Sequence, residues 1–419
     1  MEYKKIIRNN INLHLIKTDR FKTVDVVMFL TKKFNKDDIV FGTYLSSSLV
    51  YTSKKYNTKN KMAIIGEELY GTKVSSSFLL NGNCESFIFS VDFLNPIYTE
   101  SDYLDKSLDF MYEVLFNPNV DNNEFNHELF DIMTKEQITN VNSIKINPSL
   151  YASREYSKIM YKGTPSEYST VTSLEELKKV NPKNLYDFYK KLFSGEYKIS
   201  FAVLGDVDDL IVDKIFNKFK GIKSNNEELS FYIKPKYGND VKEKVDSLPF
   251  NQSKLYLGYK MDKLTKHELN HVLRVYNTIL GTMNDSILFN IVREEHSLCY
   301  SIGSYFSKYN NSLTIYAGIN KTNYEKATEL IRECVNLMSD KKTLERLFES
   351  AKKTINTYLN SYYDDVAGQI NHYYFTEFED IEDIEIQRER INSVTIDEII
   401  ELNNKIHLNT IYMLKGDNN

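Results

Sequence analysis

Hydrophobic residues along the chain follow two periodicities, which together predict a fold of mixed helices and strands. Segments such as VDVVMFLTKK, which starts at Val24, and ESFIFSVDFL (Glu85–Leu94) alternate in the manner of half-buried strands. Others, such as VNPKNLYDFYKKLF from Val180, repeat apolar residues at helical spacing. In each half of the chain, strands come first, then helices, then a strand and a helix again. This order predicts an α+β fold, a mixed or antiparallel sheet covered by helices on one face.

The same pattern occurs twice, which predicts two tandem homologous domains. The helical segment from Val180 has a counterpart, VTIDEIIELNNKIH, that starts at Val394. Each leads into a β-rich run that ends in Gly-Asp, at Asp206 and at Asp417. The strand-like segments ESFIFSVDFL and NSLTIYAGI form a second matching pair. The two halves therefore look like copies of one α+β domain.

A polar, irregular stretch separates the two halves. Before it lies the helical segment DKIFNKFKGIKS, and after it the strand-like segment SKLYLGYKM opens the second half, as VDVVMFLTKK opened the first. We therefore predict an N-terminal domain at residues 1–222, a linker at 223–248 and a C-terminal domain at 249–419.

Composition and charge exclude several classes of protein. The chain has 419 residues, of which 42% are hydrophobic and 26% are charged, as in an ordinary globular protein. Its net charge is −5 with both signs interspersed, so neither a nucleic acid nor a membrane is expected as a partner. Cys84, Cys299 and Cys334 are far apart and odd in number, which excludes a disulfide framework. Because the N-terminus lacks an apolar signal core, we expect a cytoplasmic location.

Several segments resemble the insulinase/pitrilysin-type metallopeptidase family. They include GEELYGTKVSSSF (Gly66–Phe78), FAVLGDVDDLIVDKIFNKF and LFNIVREEHSLCYSI (Leu288–Ile302), and the last is the most specific. The resemblance is strongest to the short branch that includes the mitochondrial processing peptidase subunits and bacterial two-chain relatives. It implies that the two domains form half of a metallopeptidase clamshell.

The zinc motif of this family is missing from the chain. Active members carry H-x-x-E-H on the first helix, with two His ligands, a Glu that activates water and a distant Glu that completes the site. The resemblance places this motif at Thr43, Tyr44, Leu45, Ser46 and Ser47. Glu136 lies roughly where the distant ligand would be, and we expect it to be a helix-surface acid. The resemblance therefore implies a non-catalytic bacterial subunit with no cofactor of its own, and zinc in a catalytic partner.

The Arg-Tyr segment of the family is retained. The second domain of active members supplies an Arg and a Tyr that hydrogen-bond the substrate backbone and support the developing oxyanion. The resemblance assigns these roles to Arg293 and Tyr300. Such donors are strong where a carbonyl oxygen gains negative charge. The alternative is that Arg293 is only a surface charge and Tyr300 only a strand aromatic.

A second sequence motif offers a different metal site. His267, Glu268 and His271 read HELNH, which fits the H-E-x-x-H zincin pattern with two His on one helical face. Helical phase places both His residues opposite the apolar stripe, beside the cation Arg274. We therefore expect an exposed polar helix face here, and zinc bound by His267 and His271, with Glu268 as base, is the alternative. We also expect the charge-rich stretch Glu377–Arg390 to be a solvated helix face.

Three functions follow from these observations. The preferred one is a non-catalytic subunit (a pseudoenzyme) of a heterodimeric, processing-peptidase-like zinc peptidase. It would form half of a peptide-binding chamber and donate Arg293 and Tyr300 to the zinc site of a catalytic paralogue with an intact H-x-x-E-H. The second is an autonomous zinc endopeptidase that uses HELNH. The third is an inert peptide-binding scaffold.

Overall fold

A computed structural model describes residues 1–234 and 237–417 of the chain. Residues 235–236, inside the predicted linker, lie outside the described residues. The chain divides into two compact units, each built from three segments. Unit 1 comprises Met1–Asn142, Ser169–Phe231 and Tyr363–Ile381, and unit 2 comprises Ser143–Tyr168, Tyr232–Tyr362 and Glu382–Asn419.

The strands in the described part of the chain form two large sheets and one short hairpin. They are β1 (Glu2–Arg8), β2 (Ile11–Lys17), β3 (Thr23–Lys33), β4 (Lys73–Asn81), β5 (Cys84–Leu94), β6 (Val120–Asp121), β7 (Glu124–Phe125), β8 (Lys198–Gly205), β9 (Lys242–Leu248), β10 (Ser253–Met261), β11 (Cys299–Ser307), β12 (Ser312–Ile319) and β13 (Ile406–Gly416).

The α-helices are α1 (Asp38–Ser48), α2 (Lys59–Glu68), α3 (Tyr103–Phe116), α4 (His127–Ile146), α5 (Pro148–Met160), α6 (Leu174–Leu177), α7 (Pro182–Lys191), α8 (Leu210–Lys218), α9 (Leu273–Asn277), α10 (Tyr324–Asn336), α11 (Lys341–Ser361), α12 (Val366–Phe375), α13 (Ile384–Ser393) and α14 (Ile396–Asn403). Segments of π-helix occur at Glu268–Val272, Thr278–Thr282 and Phe289–Glu295. Short 3-10 helices occur at Leu49–Tyr51, Pro96–Tyr98, Pro165–Glu167, Lys321–Asn323, Leu337–Ser339 and Tyr362–Asp364. Within the described residues, none of these helices is long and apolar enough to cross a membrane.

The two large sheets have the same strand order, one in each unit. The sheet of unit 1 runs β1-β2-β8-β3-β5-β4, with β2 and β8 parallel and the other neighbours antiparallel. The sheet of unit 2 runs β9-β13-β10-β12-β11, with β13 and β9 parallel. The second order repeats the first without β1. The predicted α+β fold with mixed sheets covered by helices is confirmed.

The helices predicted from the sequence repeat hold equivalent places in the two units. Helix α7 begins at a capping box formed by Asn181 and Asn184, and α14 begins at one formed by Thr395 and Glu398. In such a box, two side chains satisfy backbone N–H groups that a helix start leaves unpaired. Each helix is followed by a central strand, β8 or β13, that ends in Gly and precedes an Asp.

The central strands of unit 1 bury both of their faces. On one face, residues such as Leu13 and Val26 belong to the main core beneath the helices. On the other face, Ile16 and Phe29 pack against α12, where the ring of Tyr374 stacks on that of Phe29 with centroids 3.8 Å apart. The expectation of helices on one face only was therefore wrong, because these strands are apolar on both faces.

The sheet of unit 2 receives a second cover in the same way. Helix α5 presents Tyr156 and Met160 to a cluster that includes Tyr256 and Tyr412 on the central strands. The Tyr156 ring stacks on Tyr256 with centroids 5.1 Å apart, and its hydroxyl lies 2.8 Å from the Thr314 hydroxyl. Helix α5 is thus an integral part of the core of unit 2.

Because of these covering helices, neither unit is a single contiguous stretch of the chain. Helix α5 lies in the first half of the sequence but belongs to unit 2, and α12 lies in the second half but belongs to unit 1. The predicted domains, residues 1–222 and 249–419, do not include this exchange. The predicted linker, residues 223–248, contains strand β9.

A buried polar cluster holds the segment after α12 on the sheet of unit 1. The carboxylate of Glu377 lies 2.7 Å from His14 Nε2, and it accepts a hydrogen bond of 2.5 Å from Asn12 Nδ2. The hydroxyl of Tyr3 lies 2.8 Å from His14 Nδ1. Burial alone would raise the pKa of Glu377, but its hydrogen bond with His14 and the nearby Lys198 keep that pKa below its ordinary value. The expectation of a solvated acidic stretch was wrong at Glu377, whose side chain is fully buried.

We predict that Gly258→Ala destabilises the protein by about 1–3 kcal/mol, because a new methyl group would overpack the core. A Cβ at Gly258 would lie 2.3 Å from the Tyr156 hydroxyl and 2.7 Å from the Met160 sulfur. Urea unfolding would measure the effect. Gly238→Ala is the control, since a Cβ there meets no atom within 4 Å. Equal unfolding midpoints for the two variants would contradict this packing.

Candidate functional site

Helix α1 carries the positions that the sequence resemblance assigns to the missing zinc motif, and their hydroxyls are engaged within the protein. Thr43 Oγ1 donates a hydrogen bond of 2.6 Å to the carbonyl of Thr170. Ser46 Oγ donates to the Thr43 carbonyl at 3.2 Å, and Ser47 Oγ donates to the Tyr44 carbonyl at 3.0 Å. These three side chains are neutral, and each donates its hydroxyl proton to the backbone.

Close packing surrounds this part of α1. A Cβ at Gly42 would lie 2.5 Å from the Phe78 ring on β4, so the helix can approach the strand only because this residue is glycine. Ser76 on β4 donates a hydrogen bond of 2.6 Å to the carbonyl of Ser46. Tyr44 is completely buried.

Gln137 on α4, and not its neighbour Glu136, faces these positions. Gln137 is buried, and its Nε2 donates a hydrogen bond of 2.6 Å to Ser47 Oγ. Glu136 instead accepts hydrogen bonds from the Tyr51 hydroxyl at 2.9 Å and from Lys59 Nζ at 3.0 Å. Successive helical residues point about 100° apart, so only one of the two can face α1. Glu136 is a partly exposed helix acid, as expected, and the sequence analysis missed Gln137.

The Arg-Tyr segment of unit 2 is held by a tight turn between a helix and a strand. The π-helical segment Phe289–Glu295 ends in a turn where Ser297 has a φ of 52°, in the left-handed region. The N–H of Ser297 donates to the Arg293 carbonyl at 3.0 Å, and the N–H of Leu298 donates to the Val292 carbonyl at 3.0 Å. These bonds satisfy carbonyls that a helix end would otherwise leave free.

A β-bulge directs Tyr300 away from the sheet. In the β11–β12 ladder, Cys299 and Ser301 pair with successive residues of β12, so Tyr300 is the extra residue between them. A bulged residue is taken out of the ladder and its side chain is re-aimed. Tyr300 is 72% exposed, and its hydroxyl has no hydrogen-bond partner within residues 1–234 and 237–417. Burial raises the pKa of the Cys299 thiol to about 11, so that thiol is protonated at neutral pH.

Arg293 is also accessible. Its guanidinium carbon lies 4.6 Å above the centre of the Phe289 ring, and its Nε lies 3.7 Å from a carboxylate oxygen of Glu294. The side chain is 43% exposed. An exposed ion pair of this length contributes little to stability, so the guanidinium can bind another acceptor.

A cavity of about 650 Å³ lies beside Tyr300 at one end of the sheet of unit 2. Among the residues that the structure describes, most of its lining side chains are polar and none is acidic. They are Asn251, Gln252, Ser253, Tyr300, Ile319, Asn320, Lys321 and Gly416.

The two His residues of HELNH are each paired with a carboxylate of unit 2. His271 Nε2 lies 2.9 Å from Glu382, and His267 Nε2 lies 3.0 Å from Glu398. The predicted exposed face was wrong at His271, which is only 3% exposed. Glu382, just before α13, and Glu398, on α14, place their carboxylates over this helix face. Burial lowers the pKa of His271 against the opposing effect of Glu382, and nearby His267 and Arg274 lower it further.

Glu268 of HELNH is also engaged. Lys405 Nζ donates a hydrogen bond of 2.5 Å to its carboxylate. Burial alone would raise the pKa of Glu268, but the bond from Lys405 keeps that pKa below its ordinary value. A carboxylate so stabilised is a weak general base. In the part of the chain that the structure describes, no group of three or more His, Cys, Asp or Glu side chains is placed to hold a metal ion.

Comparisons with known proteins show what the chain is similar to. A family model described as "Peptidase M16 inactive domain" matches residues 179–355. The chain is also 24% identical over 408 residues to "Probable inactive metalloprotease YmfF" of Bacillus subtilis (strain 168), with 96% of this chain and 95% of that protein covered. The chain is a homologue of the insulinase-type (M16) peptidases, and both the matched domain and this relative are of the inactive kind.

Solved structures share the M16 fold along the whole chain. A conserved protein from Enterococcus faecalis V583 has a TM-score of 0.92 at 24% identity, covering 100% of this chain and 99% of that one. A peptidase M16 inactive domain from Pseudomonas fluorescens has a TM-score of 0.80 at 15% identity, covering 99% and 98%.

The residues at the position that the resemblance assigns to the zinc motif do not fit a zinc ion. Zinc sites in proteins are built from imidazole, thiolate and carboxylate ligands. Here the corresponding groups are the hydroxyls of Thr43, Ser46 and Ser47 and the amide of Gln137, which hydrogen-bond to the protein itself.

We predict that rebuilding a tight zinc site on α1 requires a carboxylate at position 137. The quadruple variant T43H/S46E/S47H/Q137E should bind about one zinc ion per chain, because it restores the full ligand set. The triple variant that keeps Gln137 should bind at least about tenfold more weakly, a difference of about 1.4 kcal/mol. Elemental mass spectrometry after mild chelation would measure zinc content. Adding Glu136→Gln to the quadruple variant is the control, and loss of zinc in that control would identify Glu136 as the ligand instead.

We predict that His271 makes stability fall as the pH is lowered. Because its folded pKa lies below the unfolded value of about 6.5, the neutral form stabilises the fold above that pH, and the contribution declines as the pH falls below it. Urea unfolding at pH 7.5 and at pH 5.5 should therefore show a smaller decline for His271→Gln than for the wild type. His127→Gln, at an exposed position, should behave like the wild type. The same decline in all three proteins would exclude His271 as its source.

Proposed function

We propose that this chain is the non-catalytic subunit of a heterodimeric, processing-peptidase-like zinc peptidase. The partner is a catalytic paralogue of the same family that carries an intact H-x-x-E-H motif. This chain forms part of the peptide-binding chamber and donates Arg293 and Tyr300 to the reacting peptide at the partner's zinc site. One observation carries the proposal: the bulge in β11 holds Tyr300 exposed, with its hydroxyl unpaired within the described residues.

The local structure around Tyr300 supports a role beyond folding. An aromatic residue that serves only a sheet normally packs against cross-strand neighbours. The bulge removes Tyr300 from that packing, while the hydrogen-bonded turn at Ser297 fixes its position relative to the helix that carries Arg293. Both side chains are thus held by rigid elements and present free donors.

The chemistry of the two groups fits amide hydrolysis. A phenol and a guanidinium donate hydrogen bonds to a carbonyl oxygen, and these bonds strengthen as the oxygen gains negative charge in the transition state. Arginine is also a permanently charged side chain in proteins. Neither group removes a proton or attacks the peptide, so the chain needs a partner that supplies the zinc and the base.

The edges of the two sheets support binding of an extended peptide. Strand β4 is one of the two edge strands in the sheet of unit 1, and β11 is one of the two in that of unit 2. An edge strand leaves a row of backbone donors and acceptors unpaired, and an added peptide strand can use them with little dependence on sequence. Strand β11 also carries Tyr300, so a peptide paired with this edge would lie beside the phenol.

The three cysteines support the expected cytoplasmic location. Cys84, Cys299 and Cys334 are buried free thiols. Free thiols persist in a reducing compartment.

We predict that Tyr300→Phe lowers kcat of the reconstituted heterodimer about 10²-fold, since one oxyanion donor is typically worth that much. Arg293→Ala should lower it by a similar factor. The assay combines the purified chain with a paralogue bearing H-x-x-E-H and follows cleavage of a fluorogenic peptide.

The control for this assay is Tyr358→Phe, which removes an exposed hydroxyl from α11 and should leave kcat unchanged. Size-exclusion chromatography would establish that all variants still form the heterodimer. Full activity with both Tyr300→Phe and Arg293→Ala would contradict donation and favour the inert scaffold. Hydrolysis by the purified chain without any partner would favour the autonomous enzyme.

A further inference from the structure

The cavity beside Tyr300 combines a cation with several neutral hydrogen-bond donors. Lys321 lines it and has no ion-pair partner in the part of the chain that the structure describes. Tyr300 contributes an unpaired phenol, and Asn251 and Asn320 contribute amides. With a volume of about 650 Å³, the cavity can hold several non-hydrogen groups of a ligand.

A second cation lies next to the cavity. The side chain of Lys254 on β10 is partly buried, and its Nζ donates a hydrogen bond of 2.6 Å to Gln252 Oε1. This bond occupies the amide oxygen and leaves the Gln252 Nε2 donor for the cavity. Within the described residues, Lys254 makes no ion pair with a carboxylate. A partly buried cation without a counter-ion is costly, so an anion bound nearby would relieve that cost.

A glycine makes room for this arrangement. A Cβ at Gly318 on β12 would lie 2.9 Å from Gln252 Nε2 and 3.0 Å from Ser301 Oγ. Any larger residue would therefore displace the amide donor. The acidic residue nearest in sequence to the lining residues is Asp417, which follows Gly416. Its carboxylate accepts a hydrogen bond from the Ser247 hydroxyl, and it is not among the lining residues.

We infer that this cavity is a subsite for a carboxylate group of the bound peptide, either its C-terminal carboxylate or an acidic side chain. Lys321 provides the charge and the Gln252 amide provides directed hydrogen bonds, while Tyr300 lines the cavity and remains the donor to the reacting carbonyl. The described lining has a cation and no acidic residue, which makes the cavity complementary to an anion. The inference rests on the proposed peptide-binding function, and it adds that acidic or C-terminal ends of peptides are held at this end of unit 2.

The test uses the full chain alone, with 3-fluorotyrosine placed at Tyr300 and observed by ¹⁹F NMR. The probes are N-acetyl-trialanine with a free carboxylate, the same peptide as its C-terminal amide, and N-acetyl-Ala-Asp-Ala-amide. We expect the free carboxylate to shift the Tyr300 signal with a dissociation constant of about 1 mM, and the trialanine amide to cause no shift. A shift with the Asp peptide would identify an acidic side chain as a source, and no shift would restrict the subsite to chain termini.

Lys321→Gln should weaken the binding of the carboxylate about tenfold. The matched control, Lys353→Gln, removes an exposed cation from α11 and should have no effect. Equal shifts with carboxylate and amide, an unchanged affinity for Lys321→Gln, or no shift with any probe would each overturn the inference. Because this titration requires neither the partner nor hydrolysis, its failure would leave the proposed donation of Tyr300 standing. Conversely, if Tyr300→Phe had no effect on the activity of the heterodimer, the outcome of this titration would still stand.

Discussion

The structure depends on one constraint: the central strands of both sheets are apolar on their two faces, and each face must be covered. Helices from the same half of the chain cover one face. The other face of unit 1 is covered by α12, where Tyr374 stacks on Phe29, and that of unit 2 by α5, where Tyr156 stacks on Tyr256. A sheet left open on either side would expose a row of large apolar side chains to water. The hydrogen bonds of Glu377 to Asn12 and His14 form because α12 packs on the sheet and brings the segment that follows it against strand β2.

Periodicity was sufficient to predict the elements and their repetition, but not which helix covers which sheet. The strand segments from Val24 and Glu85 and the two capped helices at Asn181 and Thr395 were all visible in the sequence, because each carries a local pattern. The exchange of α5 and α12 has no local pattern. The stretch from Glu377 reads as a solvated acidic face, and only tertiary structure places its first carboxylate against His14.

In the candidate site too, features that depend on local sequence could be predicted, and features that depend on contacts between distant residues could not. Loss of the zinc motif could be read from α1 directly, and the Arg-Tyr segment could be read from its own residues. Gln137 was missed, although it is in helical phase with the buried residues Met133 and Val141. That phase was the available signal for a polar side chain directed inward. The bulge at Tyr300 depends on pairing with β12, and the pairing of His271 with Glu382 joins residues far apart in sequence, so neither was predictable.

The exchange of covering helices has a consequence for how the protein is made. Asn12 and Glu377 are hydrogen-bonded across 365 positions of the chain. During synthesis, the first sheet therefore emerges from the ribosome long before the helix that closes its second face. Contacts of such long range slow folding and leave apolar surface open to aggregation in the meantime. The nascent chain thus has a long interval in which a chaperone can bind the open face.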